Sequence, residues 1–207
     1  MKNLTIILIL ISFSAFAQKS DSTKKQLGLI VKADVLVPII SHLSKLNEFS
    51  LTVEKLFKQR HSLQLTYVKS WYNKNTFVHN PATESGTDKN STYQIIPEYK
   101  FFISKKKAHT GYYIGAYAKF ISTYEKSISS ITSPIIRSDI FEYSMYSISE
   151  GVINGFQFYF FNHLTLDVLL GIGVREVIEF NQIQGNFGGN SSALFDLRAA
   201  INIGYKF

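Results

Sequence analysis

The sequence predicts an all-β protein, an eight-stranded antiparallel up-and-down transmembrane β-barrel preceded by a cleavable signal peptide. Three observations predict it. Apolar and polar residues alternate with a period of two through most of the chain after residue 18. The connections between the alternating segments are short and long in turn. After the first 17 residues no apolar run approaches the ~20 residues of a helical membrane span, so any crossing must use strands.

The first 17 residues have the three-part plan of a secretory signal. Lys2 precedes an apolar core at residues 4–16, and the small residues Ala15 and Ala17 stand just before Gln18. An uncleaved membrane anchor is the alternative, but the core is short for a bilayer and the small residues favour cleavage. No cysteine follows the cleavage site, which excludes lipid anchoring through a terminal cysteine. We therefore expect a signal peptide at 1–17 and one barrel domain at 18–207, exported through the general secretory pathway.

Each strand is predicted from its own alternation. The apolar residues include Leu29 and Val31 in the first strand, Leu51 and Val53 in the second, and Leu63 and Leu65 in the third. Polar or small residues stand between them. The fourth contains Pro97, which cannot donate to a ladder, and the sixth carries Asn154 on its apolar face, so both are imperfect. The predicted strands are residues 27–37, 47–57, 61–72, 92–103, 111–120, 150–161, 164–174 and 193–207.

The connections predict a meander with unequal ends. Three are short, and four are long and polar. All the long ones fall at one end of the predicted barrel and all the tight turns at the other, as in membrane barrels. The short connections are 58–60, 104–110 and 161–163, and the long ones are 38–47, 74–91, 122–147 and 181–192.

The apolar face is predicted to face lipid. A soluble barrel also alternates, but the apolar faces here run for six to eight residues, longer than ordinary strands provide. The opposite faces are rich in Gly, Ser, Thr and Tyr and carry few charges, as suits a narrow filled lumen. Aromatic residues near strand ends predict girdles at the two membrane boundaries. The girdle residues are Trp71, Tyr72, Tyr112, Phe160, Phe180 and Tyr205.

The closing segment carries a resemblance. "AAINIGYKF" alternates and ends on Phe207, and with the barrel pattern it resembles the small eight-stranded outer-membrane proteins of Gram-negative bacteria, the OmpA-barrel and OmpX-like group. The resemblance implies a location in the outer membrane, contact with its lipid and lipopolysaccharide, and recognition of Phe207 by the outer-membrane assembly machinery. We expect a monomer. This sequence has no peptidoglycan-binding domain after the barrel, so we expect no such tethering role.

Charged residues on the inward faces predict an internal network. Eight strands leave a lumen just wide enough for side chains, so unpaired charges there would be costly. We expect Arg175 to pair with Asp196 and Arg198 with Asp34. The network forms either a plug of salt bridges, which is favoured, or a gated ion path. Its predicted members are Lys32, Asp34, Glu54, Glu98, Lys100, Lys119, Asp167, Arg175, Asp196 and Arg198.

The sequence contains no motif for catalysis, cofactor or metal binding that stands on its own. His42 and Ser44 resemble the dyad of outer-membrane lipid A deacylases, but the residues around them do not. The net charge of +7 is concentrated in part in the tight turns, at Lys58, Arg60 and 105–107, which indicates a solvated rim rather than nucleic-acid binding.

The predicted function is therefore non-enzymatic: envelope structure, adhesion or ligand contact through four long extracellular loops. The alternatives are a lipid A deacylase-like enzyme and a small low-conductance channel.

Overall fold

Eight antiparallel strands close into a ring. The computed structural model describes residues 28–36, 47–57, 60–78, 83–104, 109–132, 136–161, 163–184 and 194–207, without the side chains of 74–78, 83–86, 129–132, 136–140 and 179–184. Each strand pairs with the next, and the first pairs with the last, so the sheet is a closed barrel. This confirms the predicted class, strand number and closure. The strands are β1 (Leu29–Asp34), β2 (Asn47–Phe57), β3 (His61–Val78), β4 (Thr83–Phe102), β5 (Gly111–Thr132), β6 (Ile136–Phe160), β7 (Leu164–Gln184) and β8 (Leu194–Lys206).

The wall of the barrel is apolar outside and mostly polar inside. On β7, Leu170 and Ile172 face outward and are 61% and 55% exposed, whereas Thr165 and Asp167 face inward and are buried. The other strands alternate in the same way because successive side chains point to opposite faces. So large an exposed apolar surface is unfavourable in water and matches the lipid-facing band of a membrane barrel. Among the described residues, no helix is long and apolar enough to cross a membrane.

The strands are longer at one end than the sequence predicts. Residues 74–91 and 122–147 were predicted as long loops, but the β3–β4 ladder continues to Val78↔Glu84 and the β5–β6 ladder to Thr132↔Ile136. β7 likewise runs to Gln184, into the fourth predicted loop, while most of the first lies outside the described residues. The described side chains of these extensions, such as 87–90 and 124–128, are partly or fully exposed on both faces, so no period of two marks them.

The short connections lie where predicted, between Phe57 and His61, Phe102 and Gly111, and Phe160 and Leu164. Pro97 is accommodated in mid-strand by an interruption of one ladder. The β4–β5 pairs skip from Ile95↔Phe120 to Glu98↔Tyr117, because proline has no N–H to donate.

Glycines in the wall make room for one tyrosine ring. Tyr117 projects inward from β5 and crosses β6 and β7 over Gly151, Gly171 and Gly173. A Cβ at Gly151 or Gly173 would lie 2.7 Å or 2.6 Å from atoms of that side chain. The sequence motif Gly171-x-Gly173, predicted to mark close packing, therefore lies against an aromatic ring inside the barrel.

Candidate functional site: a charge network that fills the lumen

The lower half of the lumen, toward the short turns, holds four charged side chains in direct contact. Lys32 on β1 places its Nζ 2.6 Å from Glu54 on β2 and 2.7 Å from Asp167 on β7. Lys100 on β4 places its Nζ 2.6 Å from the same Asp167 oxygen and 4.0 Å from Glu54. All four side chains have zero solvent exposure. The group, called here the basal cluster, has two positive and two negative charges and is neutral.

Neutral polar side chains make further hydrogen bonds with the charged groups of the basal cluster. Both lysines donate to Gln64 Oε1, at 3.1 Å from Lys32 and 2.8 Å from Lys100. Lys32 also donates to Gln157, and the Tyr113 hydroxyl donates to the free oxygen of Asp167 at 2.7 Å. Ser62 donates to Glu54 Oε1 at 2.5 Å. Each of the four charged groups therefore has at least one hydrogen-bonding partner, which is the condition for a buried ion cluster to be tolerated.

Two more ion pairs continue the network toward the outer end. Gln64 donates its amide hydrogens to Glu98 at 2.7 Å, and Glu98 also contacts the guanidinium of Arg198. Farther along, Lys119 lies 2.8 Å from Asp196, whose other oxygen accepts from the Tyr117 hydroxyl. Apolar side chains fill the space between these polar groups. They are Val68, Ile96, Phe102, Ile153, Leu169 and Ala200.

The predicted pairings were wrong, although the residues are inside the barrel. Arg175 donates to Ser147 at 2.9 Å rather than to Asp196. Arg198 contacts Glu98, while Asp34 accepts backbone N–H groups of Leu36 and Ile201 beside the end of β1. The prediction compared only neighbouring strands, whereas in so narrow a barrel Arg198 on β8 reaches across the lumen to Glu98 on β4. Arg175 does bond to a neighbouring strand, but to a serine on β6 rather than to a carboxylate on β8.

Above the basal cluster, the lumen contains a polar cavity of about 210 Å³. Asp34, Glu48, Lys119, Arg198 and Asn202 line it. It ends where Glu98 and Arg198 meet, and the basal cluster below is fully buried. The described side chains therefore close the lumen between this cavity and the short turns.

The predicted girdle residues lie at both ends of the barrel, and one of them points into the barrel rather than outward. Trp71 faces outward near the long end, and Tyr112, Phe160 and Tyr205 face outward near the short turns. Tyr72 follows Trp71 along β3 and so points to the inner side, near Asp88 and Glu125, which corrects its assignment to the outer girdle. The side chain of Phe180 lies outside the described part of the structure. Phe207 packs its ring on Tyr205 and donates its N–H to Leu29 across the seam.

Ionised groups also link the extended hairpins beyond the apolar band. On the outer face, the Tyr124 hydroxyl and Lys126 both donate to Glu142, Lys126 at 3.1 Å. These two donors hold the pKa of the Glu142 carboxyl below its ordinary value. On the inner face, Glu125 accepts from the Tyr143 hydroxyl at 2.6 Å and from Asn90 at 3.1 Å.

Within the described residues, no group of three or more His, Cys, Asp or Glu side chains could hold a metal ion. His42 and Ser44, the candidate catalytic pair, lie outside the described residues. The neutral side chains Gln64, Gln157 and Tyr113 were missed as members of the network. Their inward position in the period-two pattern was the available signal.

The solved structures similar to this chain include Ail, the attachment invasion locus protein of Yersinia pestis, in complex with the heparin analogue sucrose octasulfate. It shows 10% identity over 87% of this chain and 94% of that one, with a TM-score of 0.40. The N-terminal β-barrel domain of Pseudomonas aeruginosa OprF shows 12% identity over 88% and 98%, with a TM-score of 0.29.

No curated protein matches the sequence. The resemblance to the small eight-stranded outer-membrane barrels is borne out by the strand number, antiparallel order, closure and apolar outer wall. The family model described as "Protein of unknown function (DUF3575)" matches residues 6–207, nearly the whole chain, and the protein therefore belongs to that family.

Proposed function

We propose that this protein is a non-enzymatic integral barrel of the outer membrane of a Gram-negative bacterium, with a sealed lumen and a contact surface on its extended hairpins. The observation that carries the proposal is the fully buried basal cluster, which occupies the lumen with Lys32, Lys100, Glu54 and Asp167. A diffusion pore needs a continuous water path, and a neutral, hydrogen-bonded ion cluster across a narrow barrel removes it.

The extended hairpins supply the surface for contact. The β5–β6 ladder continues from Tyr124↔Ser144 to Thr132↔Ile136, which adds about 30 Å of paired strand beyond the outer aromatic residues. β3, β4 and β7 extend beside it. Adhesion, ligand contact or envelope structure through this region fits the general rule that barrels place their function on the outer segments. The signal peptide predicted at 1–17, which lies outside the described residues, supports export.

Conductance tests the seal. The refolded full chain in planar lipid bilayers should give small or no channels. Lys32→Ala/Asp167→Ala, which removes one lysine and one carboxylate together, should raise the conductance. Lys55→Gln, which changes an outward-facing lysine, should not. Large, stable channels from the unaltered protein would contradict the sealed lumen and favour an open pore.

Labelling in cells tests location and orientation. The chain has no cysteine, so each introduced cysteine is a unique site. A membrane-impermeant maleimide added to intact cells should label Asn73→Cys, on the extension, and should label Lys55→Cys, near the short turns, only after lysis. The reverse pattern would overturn the assigned orientation.

A further inference from the structure

A basic and aromatic surface lies on the outside of the barrel where β3 and β4 leave the apolar band. Lys69 Nζ lies 5.7 Å from the centre of the Trp71 ring and 5.2 Å from that of Tyr93. Lys89, four residues from Tyr93 on the same outward face of β4, is exposed. A groove of about 340 Å³ joins them, and its walls are Lys69, Trp71, Asn73, Lys89, Asn90, Ser91 and Tyr124.

The strand register sets the spacing of the two lysines. Lys69 is opposite Tyr93, Trp71 is opposite Ser91, and Asn73 is opposite Lys89. The two lysines therefore stand on adjacent strands about 13 Å apart along the strand direction, with Ser91 between them. Flexible lysine side chains from the two positions can converge on one anion above the Ser91 hydroxyl.

Neither ammonium group has a carboxylate partner among the described residues. The acidic groups near this surface are engaged elsewhere: Glu142 accepts from Tyr124 and Lys126, and Glu125 faces inward to Asn90 and Tyr143. By contrast, the outward carboxylates near the apolar band, Glu150 and Glu176, lie on β6 and β7 and are exposed. The barrel thus has a basic face at β3–β4 and an acidic face at β6–β7.

We infer that the groove between Lys69 and Lys89 binds the phosphate group of an anionic outer-leaflet lipid, with Trp71 and Tyr93 against its glycolipid body. The inference rests on the proposed membrane location, since the aromatic rings mark the height of the headgroups. Lys69 and Lys89 supply charge to the phosphate, and Ser91 and Asn73 supply neutral hydrogen-bond donors. The tails then lie along the exposed apolar wall below, at Tyr67 and Ile95.

Native mass spectrometry of the full chain released from detergent micelles tests this site. The two probes are diphosphoryl lipid A and the same lipid with both phosphates removed. Lys69→Gln and Lys89→Gln should each weaken binding of the diphosphoryl lipid by roughly threefold to tenfold, the range for exposed to partly shielded charged contacts. Lys69→Arg and Lys89→Arg should retain binding, and Lys55→Gln, the same change at the opposite rim, should alter it by less than about twofold.

Several results would overturn the inference. These are unchanged affinity in both glutamine variants, equal binding of the dephosphorylated lipid, or full competition by inorganic phosphate at the concentration of the lipid. The last result would show that the groove takes free phosphate rather than a lipid. If the protein inserts and its lumen is closed, but it binds the two lipids equally, only the proposed lipid site is refuted. A chain that fails to insert would refute the proposed function itself.

Discussion

Replacing Asp167 with asparagine should strongly destabilise the barrel. The carboxylate has one oxygen 2.7 Å from Lys32 and 2.6 Å from Lys100, and its other oxygen accepts from Tyr113. Asparagine keeps the shape but removes the charge, so the basal cluster changes from neutral to one net positive charge with no access to water. Breaking a buried ion pair in this way costs about 3–5 kcal/mol of unfolding free energy. Urea unfolding of the full chain in lipid vesicles, followed by the fluorescence of the single tryptophan, Trp71, would measure it.

A second variant separates charge imbalance from a general loss of packing. Lys100→Met/Asp167→Asn restores neutrality, with Lys32 and Glu54 still paired. It should therefore be less destabilised than the sum of the two single variants by about 1–3 kcal/mol. Asp88→Asn is the matched control, because Asp88 accepts from Ser127 on the partly exposed extension, and its change should cost about 1 kcal/mol or less. A loss below about 1 kcal/mol in Asp167→Asn, or simple additivity in the double variant, would refute this account of the cluster.

Three further predictions concern other parts of the barrel. Acidification should loosen the outer β5–β6 hairpin. Because the folded pKa of Glu142 lies below its ordinary 4.5, its contact with Lys126 is intact above that value and is lost as the pH falls through the folded pKa. Amide hydrogen exchange of the hairpin should show this change, and Glu142→Gln should abolish it. Deleting Phe207 should lower outer-membrane yield far more than the melting temperature of detergent-refolded protein, since the lost burial is only about 1–3 kcal/mol. Heat-modifiable gel mobility of both forms would test it, and normal cellular yield would contradict it. Gly173→Ala would place a Cβ 2.6 Å from the Tyr117 hydroxyl, so it should cost about 1–3 kcal/mol in urea unfolding, and an unchanged midpoint would count against the packing argument.

The wall of the barrel could be predicted because lipid imposes a simple pattern on it. A strand between lipid and a polar lumen must alternate, and from Leu164 to Val174 every second residue is apolar and faces outward. The three tight turns could be located for the same reason, since the alternation stops at each. The extensions could not be predicted, because segments such as 122–132 lie beyond the apolar band and have no face that must be apolar.

The sequence predicts which charged side chains face the lumen, but it does not predict which side chains they contact. The inward position of Lys32 and Asp167 follows from counting residues along each strand. Their contact depends on the stagger between strands that lie on different parts of the ring, which the sequence of one strand does not specify. Arg175 shows the limit: its face was right, yet it donates to Ser147, on the neighbouring strand, rather than to a carboxylate.

The short first strand has a consequence for the order in which the barrel assembles. β1 has only six residues, whereas β5 and β6 have 22 and 25, and β5 ends at Thr132 only four positions before β6 begins at Ile136. Hairpins with local contacts form early, and a contact between distant parts of the chain must first overcome the entropy of closing a long loop. Lys32 and Asp167 are separated by 135 residues, so this ion pair belongs to the closing step. Before closure, Lys32 can pair with Glu54 on the neighbouring strand β2, whereas Asp167 on β7 lies beyond the open seam. The free energy of the Lys32–Asp167 pair is therefore gained when the ring closes, which favours completion over an open sheet.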